Sequence, residues 1–422
     1  MKKFEYKKFP NGLRTILVPQ QNSESLTVLV LVGTGSKYEE KEKNGISHFL
    51  EHMYFKGTKK RPSPKEVAEV LDKVGGIFNA FTSQEYTGYF AKVSSDKLTL
   101  ALEWVSDILF NSIFPEEEVI KERGVIVEEI NMIEDNPMSA VQLLWQEVLY
   151  GDQPAGWPIA GKKETVEKIE RKDLFEYMHS QYIASNVIVA LAGNFSPKEA
   201  VSKIKKFFQP IKRGKRKERP PLIENQKIPQ VLLKKRNTNQ VHLVLGARGV
   251  NLFSKEKYQQ EILATILGGM MSSRLFQEIR EKMGIAYYIH TESHSDLDSG
   301  FLATSAGLKI EKTEVGIKRI LKEYKEIAKT LTQKELKKAK DNLKGKLSLL
   351  LETLDSRAIF YALQELLEGK ILTPEEIFSK INRISLSQIR NFANKIFCNK
   401  NLNLAILGPF EKKEIFEKIL KI

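Results

Sequence analysis

Apolar and polar positions along the chain repeat a pattern. Two short runs of β-branched and aliphatic residues, TVLVLVG (Thr27 to Gly33) and VHLVLG (Val241 to Gly246), read as strands. Each leads through a loop to an apolar helical stretch, GISHFLEHMYFKGT in the first case and EILATILGGMMSSRLF in the second. Aromatic, β-rich runs follow, FNAFTSQEYTGYFAKV and IAYYIHTESHSDLDSGFLATSAGL. After two or more helical stretches each series ends in a matching strand, VIVALAGNF (Val187 to Phe195) and LNLAILGPF (Leu402 to Phe410). The chain therefore reads as two distant copies of one unit. Strand clusters separated by several helices predict an α+β fold of two homologous domains, each a mostly antiparallel sheet covered by helices.

One segment belongs to neither copy. Residues 210–221, PIKRGKRKERPP, are rich in basic residues and proline and nearly empty of apolar ones, so they cannot form a core element. The expected organisation is an N-terminal domain over 1–209, a basic linker over 210–228 and a C-terminal domain over 229–422. A length of 422 residues suits two cores better than one.

Composition narrows the function classes. With 41% hydrophobic and 28% charged residues the chain is ordinary globular material, not a disordered segment. No apolar run approaches the ~18 residues of a membrane span, and MKKFEYKKFPNGL has no apolar stretch behind its lysines. A cytoplasmic location without a membrane partner is expected. The single cysteine, Cys398, excludes an internal disulfide and a multi-cysteine metal site. The net charge of +14 raises the question of a polyanion partner, but lysine and glutamate are interleaved along most of the chain. That pattern means solvated helix faces, and with no nucleic-acid module present no nucleic-acid partner is expected.

The chemistry lies in the first copy. His48-Phe49-Leu50-Glu51-His52 reads H-x-x-E-H, the inverted form of a zinc-peptidase motif. Residues four apart on a helix lie about 40° apart in azimuth, so both imidazoles project toward one ion. Glu51 shares that side without having to ligate, while Phe49 and Leu50 face a core. A catalytic zinc site normally has three protein ligands and an open position. The other histidines, His179, His242, His290 and His294, form no comparable pair, so the third ligand is expected to be a carboxylate. The helical segment Glu116 to Asp135 supplies many. Its apolar positions Val119, Ile126, Ile130 and Ile133 mark a buried stripe flanked by Glu122 and Glu129, and periodicity does not decide between those two.

HFLEHMYFKGT, FNAFTSQEYT and ERGVIVEEI together resemble the pitrilysin/insulinase family of zinc peptidases, which includes the mitochondrial processing peptidase. The similarity continues through YGDQPAGWPIAG and ALAGNF, over nearly the whole chain and more weakly in its last hundred residues. It implies a zinc-dependent endopeptidase, close to the two-domain processing-peptidase-like members. The resemblance places the third ligand at the second glutamate of an E-x6-E pattern, which is Glu129, with Glu122 orienting a ligand. Glu51 is then the general base.

The same resemblance makes the run Ile77 to Val93 line the cleft, where a peptide pairs with the strand edge and Asn79 contacts its backbone. In the second half, which lacks the metal motif around Leu263 to Leu267, it assigns Arg280 to substrate binding and Tyr287 to the oxyanion. Read alone, those two are a solvated helix residue and a strand aromatic. The glycines of GGM (Gly268 to Met270) lie where some relatives carry a longer substrate loop. Long relatives hold both motifs in one four-domain clamshell, of which this chain matches half. The implied assembly is a homodimer in which Arg280 and Tyr287 complete the partner's site, acting on short or unfolded peptides. The competing reading is a non-catalytic scaffold or partner subunit of a processing-peptidase-like complex.

Overall fold

The apolar runs that open the two copies are interior strands of two separate sheets in a computed structural model, which describes residues 3–422. The first half runs β1 (Glu5–Lys8), β2 (Arg14–Pro19), β3 (Ser25–Val32), α1 (Ile46–Met53), α2 (Pro64–Asp72), β4 (Ile77–Thr82) and β5 (Thr87–Ser94). It continues with α3 (Leu98–Asn111), α4 (Glu116–Asp135), α5 (Pro137–Tyr150), α6 (Lys163–Val166), α7 (Arg171–Gln181), β6 (Val187–Gly193) and α8 (Pro197–Phe207). The second half runs β7 (Gln230–Lys235), β8 (Val241–Arg248), α9 (Lys257–Leu267), a π-helical segment (Phe276–Lys282), β9 (Ala286–Ser295) and β10 (Gly300–Leu308). Then come α10 (Thr313–Thr330), α11 (Gln333–Leu350), α12 (Leu354–Leu363), α13 (Pro374–Arg383), α14 (Leu386–Ile396), β11 (Leu402–Gly408) and α15 (Glu414–Ile419).

The duplication read from the apolar runs is visible in the strand order. The first sheet is ordered β1-β2-β6-β3-β5-β4 and the second β7-β11-β8-β10-β9. With β1 set aside, the two correspond strand for strand. Each has one parallel pair, β2 with β6 and β7 with β11, and its other pairs are antiparallel.

The chain folds as two compact units that are not contiguous in sequence. Among the described residues one comprises 3–130, 158–220 and 348–373, and the other 131–157, 221–347 and 374–422. Two helices account for the interleaving. In the first unit α12, from the second half of the chain, buries Leu354, Ala358, Tyr361 and Ala362 against Leu29, Leu31, Ile188 and Ala190. In the second unit α5, from the first half, buries Ala140, Val141, Leu144 and Trp145 against Val244, Ala303, Ala405 and Leu407. The contiguous spans 1–209 and 229–422 do not anticipate this exchange. The apolar faces of α5 and α12 mark them for burial without marking which sheet buries them.

Period-two alternation explains how one strand serves two layers. Val28, Val30 and Val32 of β3 face the core that receives α1, while Leu29 and Leu31 face α12. Complete burial of each such side chain contributes about 1.5–3 kcal/mol, which fixes the register of β3 and with it the start of the loop to α1. The basic segment 211–229 has neither helix nor strand, as its composition requires. Its Lys217 pairs with Glu40 at 2.5 Å, and the Arg216 guanidinium lies over the Tyr38 ring. No helix among the described residues is long and apolar enough to cross a membrane.

Candidate metal centre

Helix α1, ISHFLEHM, divides by face. Ile46, Phe49, Leu50 and Met53 are buried in the core beside β3, and His48, Glu51 and His52 occupy the other side. The helix starts at Gly45 with φ 101°, a left-handed conformation in which a Cβ would lie 2.7 Å from the Ala160 carbonyl oxygen. The side chain that holds this start is Glu39. Its buried carboxylate accepts the N–H groups of Gly45 at 2.7 Å and Ser47 at 2.8 Å, and the Asn44 amide at 2.9 Å. It thereby satisfies donors that a helix N-terminus otherwise leaves unpaired. Burial pushes its carboxyl up to about 7, against the pull of those hydrogen bonds. Beside it the Tyr177 hydroxyl joins Ser47 and Thr34, each at 2.7 Å. The first turn of α1 is thus fixed before His48 is reached.

His48 Nε2 and His52 Nε2 each lie 3.6 Å from the same Glu129 oxygen, and the three candidate ligand atoms all fall within 4.8 Å of one another. The imidazole rings meet edge to face, 4.7 Å apart. At 3.6 Å neither contact is a hydrogen bond. A tetrahedral zinc with bonds of about 2.0–2.2 Å has edges of roughly 3.3–3.6 Å between its ligands. The two separations from Glu129 match such edges, and two imidazoles with one carboxylate are a donor set that zinc takes. His48 is also kept in the right charge state: burial first, then the neighbouring His52, lower its pKa to about 3, so its lone pair is available at neutral pH.

Glu122 and Glu129, left unresolved by periodicity, are separated by what surrounds them. Glu122 is buried at 3% exposure and accepts from His52 Nδ1 at 3.0 Å and from the Lys56 ammonium at 2.6 Å. Burial alone would raise its pKa, but the hydrogen bonds from His52 and Lys56 outweigh that and hold it below the usual carboxylate range. An ionised Glu122 keeps the His52 proton on Nδ1 and leaves Nε2 free to donate its lone pair. Glu129, by contrast, faces the two Nε2 atoms.

Glu51 accepts the Thr82 hydroxyl through Oε2 at 2.5 Å. Burial raises its pKa, the Thr82 bond and His52 work against that rise, and the Glu129 charge adds to it. Thr82 ends β4, an edge strand of the first sheet. On the same strand Asn79 is exposed, and its side-chain oxygen takes the Ala80 N–H at 2.9 Å.

Arg280 and Tyr287 belong to the second unit. Arg280 is exposed on the π-helical segment, with its guanidinium over the Phe276 ring at 4.8 Å. Tyr287, at the start of β9, is 75% exposed and lines a pocket of about 410 Å³ with Tyr288, His242 and Met138. The glycines of GGM close α9: a Cβ on Gly268 would lie 2.2 Å from the Thr291 hydroxyl. Residues that sequence reasoning missed are Glu39, Lys56 and Thr82. Only Lys56 had a local signal, its place four residues beyond His52 in sequence.

The insulinase model of peptidase family M16 matches residues 14–163, and that of the peptidase M16 inactive domain matches 168–343. The chain belongs to the insulinase family of peptidases, family M16. YmxG of Bacillus subtilis, named an uncharacterized zinc protease, is 37% identical over 405 residues, covering 94% of this chain and 97% of that one. A protein of Rickettsia felis with the same description is 35% identical, covering 96% and 98%. Among solved structures, a protease from Helicobacter pylori superposes with a TM-score of 0.90 at 26% identity, covering 96% of this chain and 99% of that one. The peptidase M16 inactive domain from Pseudomonas fluorescens shares the fold at a TM-score of 0.89 and 18% identity, covering 97% and 98%.

Proposed function

We propose that the chain is a zinc-dependent endopeptidase that hydrolyses short or unfolded peptides. The observation that carries this reading is the meeting of His48 Nε2, His52 Nε2 and a Glu129 oxygen at zinc-like spacing beside Glu51. His48, His52 and Glu129 would hold the ion, and Glu122 would orient His52. A zinc ion bound there supplies Lewis acidity and brings the pKa of water toward about 7. With Oε2 engaged by Thr82, Glu51 takes the proton of the attacking water at Oε1 and returns it to the departing amine. The open edge of β4 offers a peptide main-chain pairing, with Asn79 contacting its backbone. That mode of binding places little demand on side chains and suits unfolded substrates.

Arg280 and Tyr287 of the C-terminal half complete the site of a partner copy in a homodimer, the arginine on the substrate backbone and the tyrosine on the oxyanion. The exposure of Tyr287 supports a residue whose function lies with another surface. Mixing Glu51→Gln with Tyr287→Phe subunits should restore one intact site per heterodimer. Failure to recover after verified subunit exchange refutes sharing in trans.

The central test is turnover of a quenched unstructured peptide by wild-type protein, with and without chelator, alongside a zinc assay. Zinc near one per chain and turnover lost on chelation support the peptidase. Zinc without turnover of any peptide favours the competing scaffold reading. Retention of both histidines, Glu129 and the base Glu51 speaks against that alternative.

A further inference from the structure

The edge strand also acts on the base. Glu51 lies between His48 and His52 in sequence, one position from a proposed ligand. Carboxylate oxygens are good zinc ligands, so nothing in the chemistry of Glu51 keeps it from joining the ion. Its Oε2 accepts the Thr82 hydroxyl at 2.5 Å, from the last residue of β4. A hydrogen bond to an ionised acceptor in a partly buried place is one of the stronger kinds. The threonine can keep that position because β4 is paired through its length with β5, with Thr82 opposite Thr87.

We infer that Thr82 is a positioning residue that tethers Glu51 to the edge strand and so keeps the base from becoming a fourth protein ligand. This rests on the metal and base assignments proposed above. The tether has a signature that a purely structural role lacks. Without it Glu51 is free to bind the ion, so the metal is held more tightly while turnover falls. A general loosening of the site would weaken both.

The experiment replaces zinc by cobalt(II), whose visible absorption reports coordination, in wild type, Thr82→Val and Thr82→Ser. Peptide turnover and the rate of metal loss to a chelator are measured in parallel. Thr82→Val should lose about tenfold or more in kcat with KM little changed, the loss of one charged hydrogen bond. It should also release metal more slowly than wild type, with a cobalt spectrum shifted toward the weaker absorption of higher coordination. Thr82→Ser, which keeps the hydroxyl, should restore all three. Thr82→Ala serves if the valine variant does not fold. An unchanged cobalt spectrum in Thr82→Val overturns the inference, as does faster metal loss accompanying the drop in kcat. If wild type itself turns over no peptide, the peptidase reading fails and the cobalt spectrum alone decides the role of Thr82.

Discussion

β3 in the first sheet and β8 in the second each lead through a loop to a helix, α1 or α9, and then to the hairpin at the sheet edge. The two helices differ in what surrounds them. In α9 the stretch Ile262 to Leu267 is buried on every side, and Gln260 is spent inside the fold. Its side chain accepts the Val250 N–H at 2.9 Å and donates to Ser293 and to the His294 carbonyl. In α1 the buried residues keep to one face, and the corresponding tie comes from outside the helix, from Glu39. Anchoring the helix from its end leaves a polar face free for His48, Glu51 and His52. One topology thus holds a helix buried on every side in one unit and a helix with a polar face in the other, according to which residue does the anchoring.

The largest expected effect is on chemistry. Glu51→Gln should lower kcat by about 10²–10⁴ while zinc stays near one per chain, and near wild-type turnover in that variant would remove Glu51 from its role. His48→Ala should drop the zinc content toward zero; stoichiometric metal in that protein would contradict the ligand set. Glu122→Ala should weaken zinc by about 10–100-fold, read by competition with a chelator, whereas affinity equal to wild type would leave the His52–Glu122 contact without consequence. The two anchors can be compared directly. Gln260→Ala should cost about 1–3 kcal/mol of stability through unsatisfied buried groups without altering zinc affinity, whereas Glu39→Gln should destabilise and also weaken the metal. Equal zinc affinity in both proteins would erase the distinction between them.

The smallest effect concerns pH and the second unit. Burial alone would raise the pKa of Glu335, but hydrogen bonds from Arg274 and Thr332 more than reverse this and hold it at about 2. A carboxyl depressed from its ordinary value of 4.5 stabilises the fold fully above that value and loses its contribution as pH falls toward 2. Thermal melts between pH 5 and 3 should therefore show a steeper loss in wild type than in Glu335→Gln. Parallel slopes would exclude this contribution.

What the sequence disclosed follows from distance along the chain. His48, Glu51 and His52 lie on one helix, so their convergence is set by helical geometry and was legible. The strand orders were foreshadowed because both copies keep the same apolar runs at their interior strands. Choosing between Glu122 and Glu129 was beyond periodicity, since the two share a helical face and only the packing of α1 separates them. Thr82 and Glu39 were illegible for a stricter reason. Each acts on α1 across a loop or strand boundary, and a threonine ending a strand resembles any other until the fold brings it to a carboxylate. The π-helical form of the segment carrying Arg280 likewise had no counterpart in the residue pattern.

The traded helices α5 and α12 have a consequence for inheritance. A chain cut within 210–228 would give one fragment carrying a helix its own sheet never uses and lacking one it needs, and the other fragment the mirror image of that predicament. Neither half is a self-sufficient module, so recombination cannot pass one on alone.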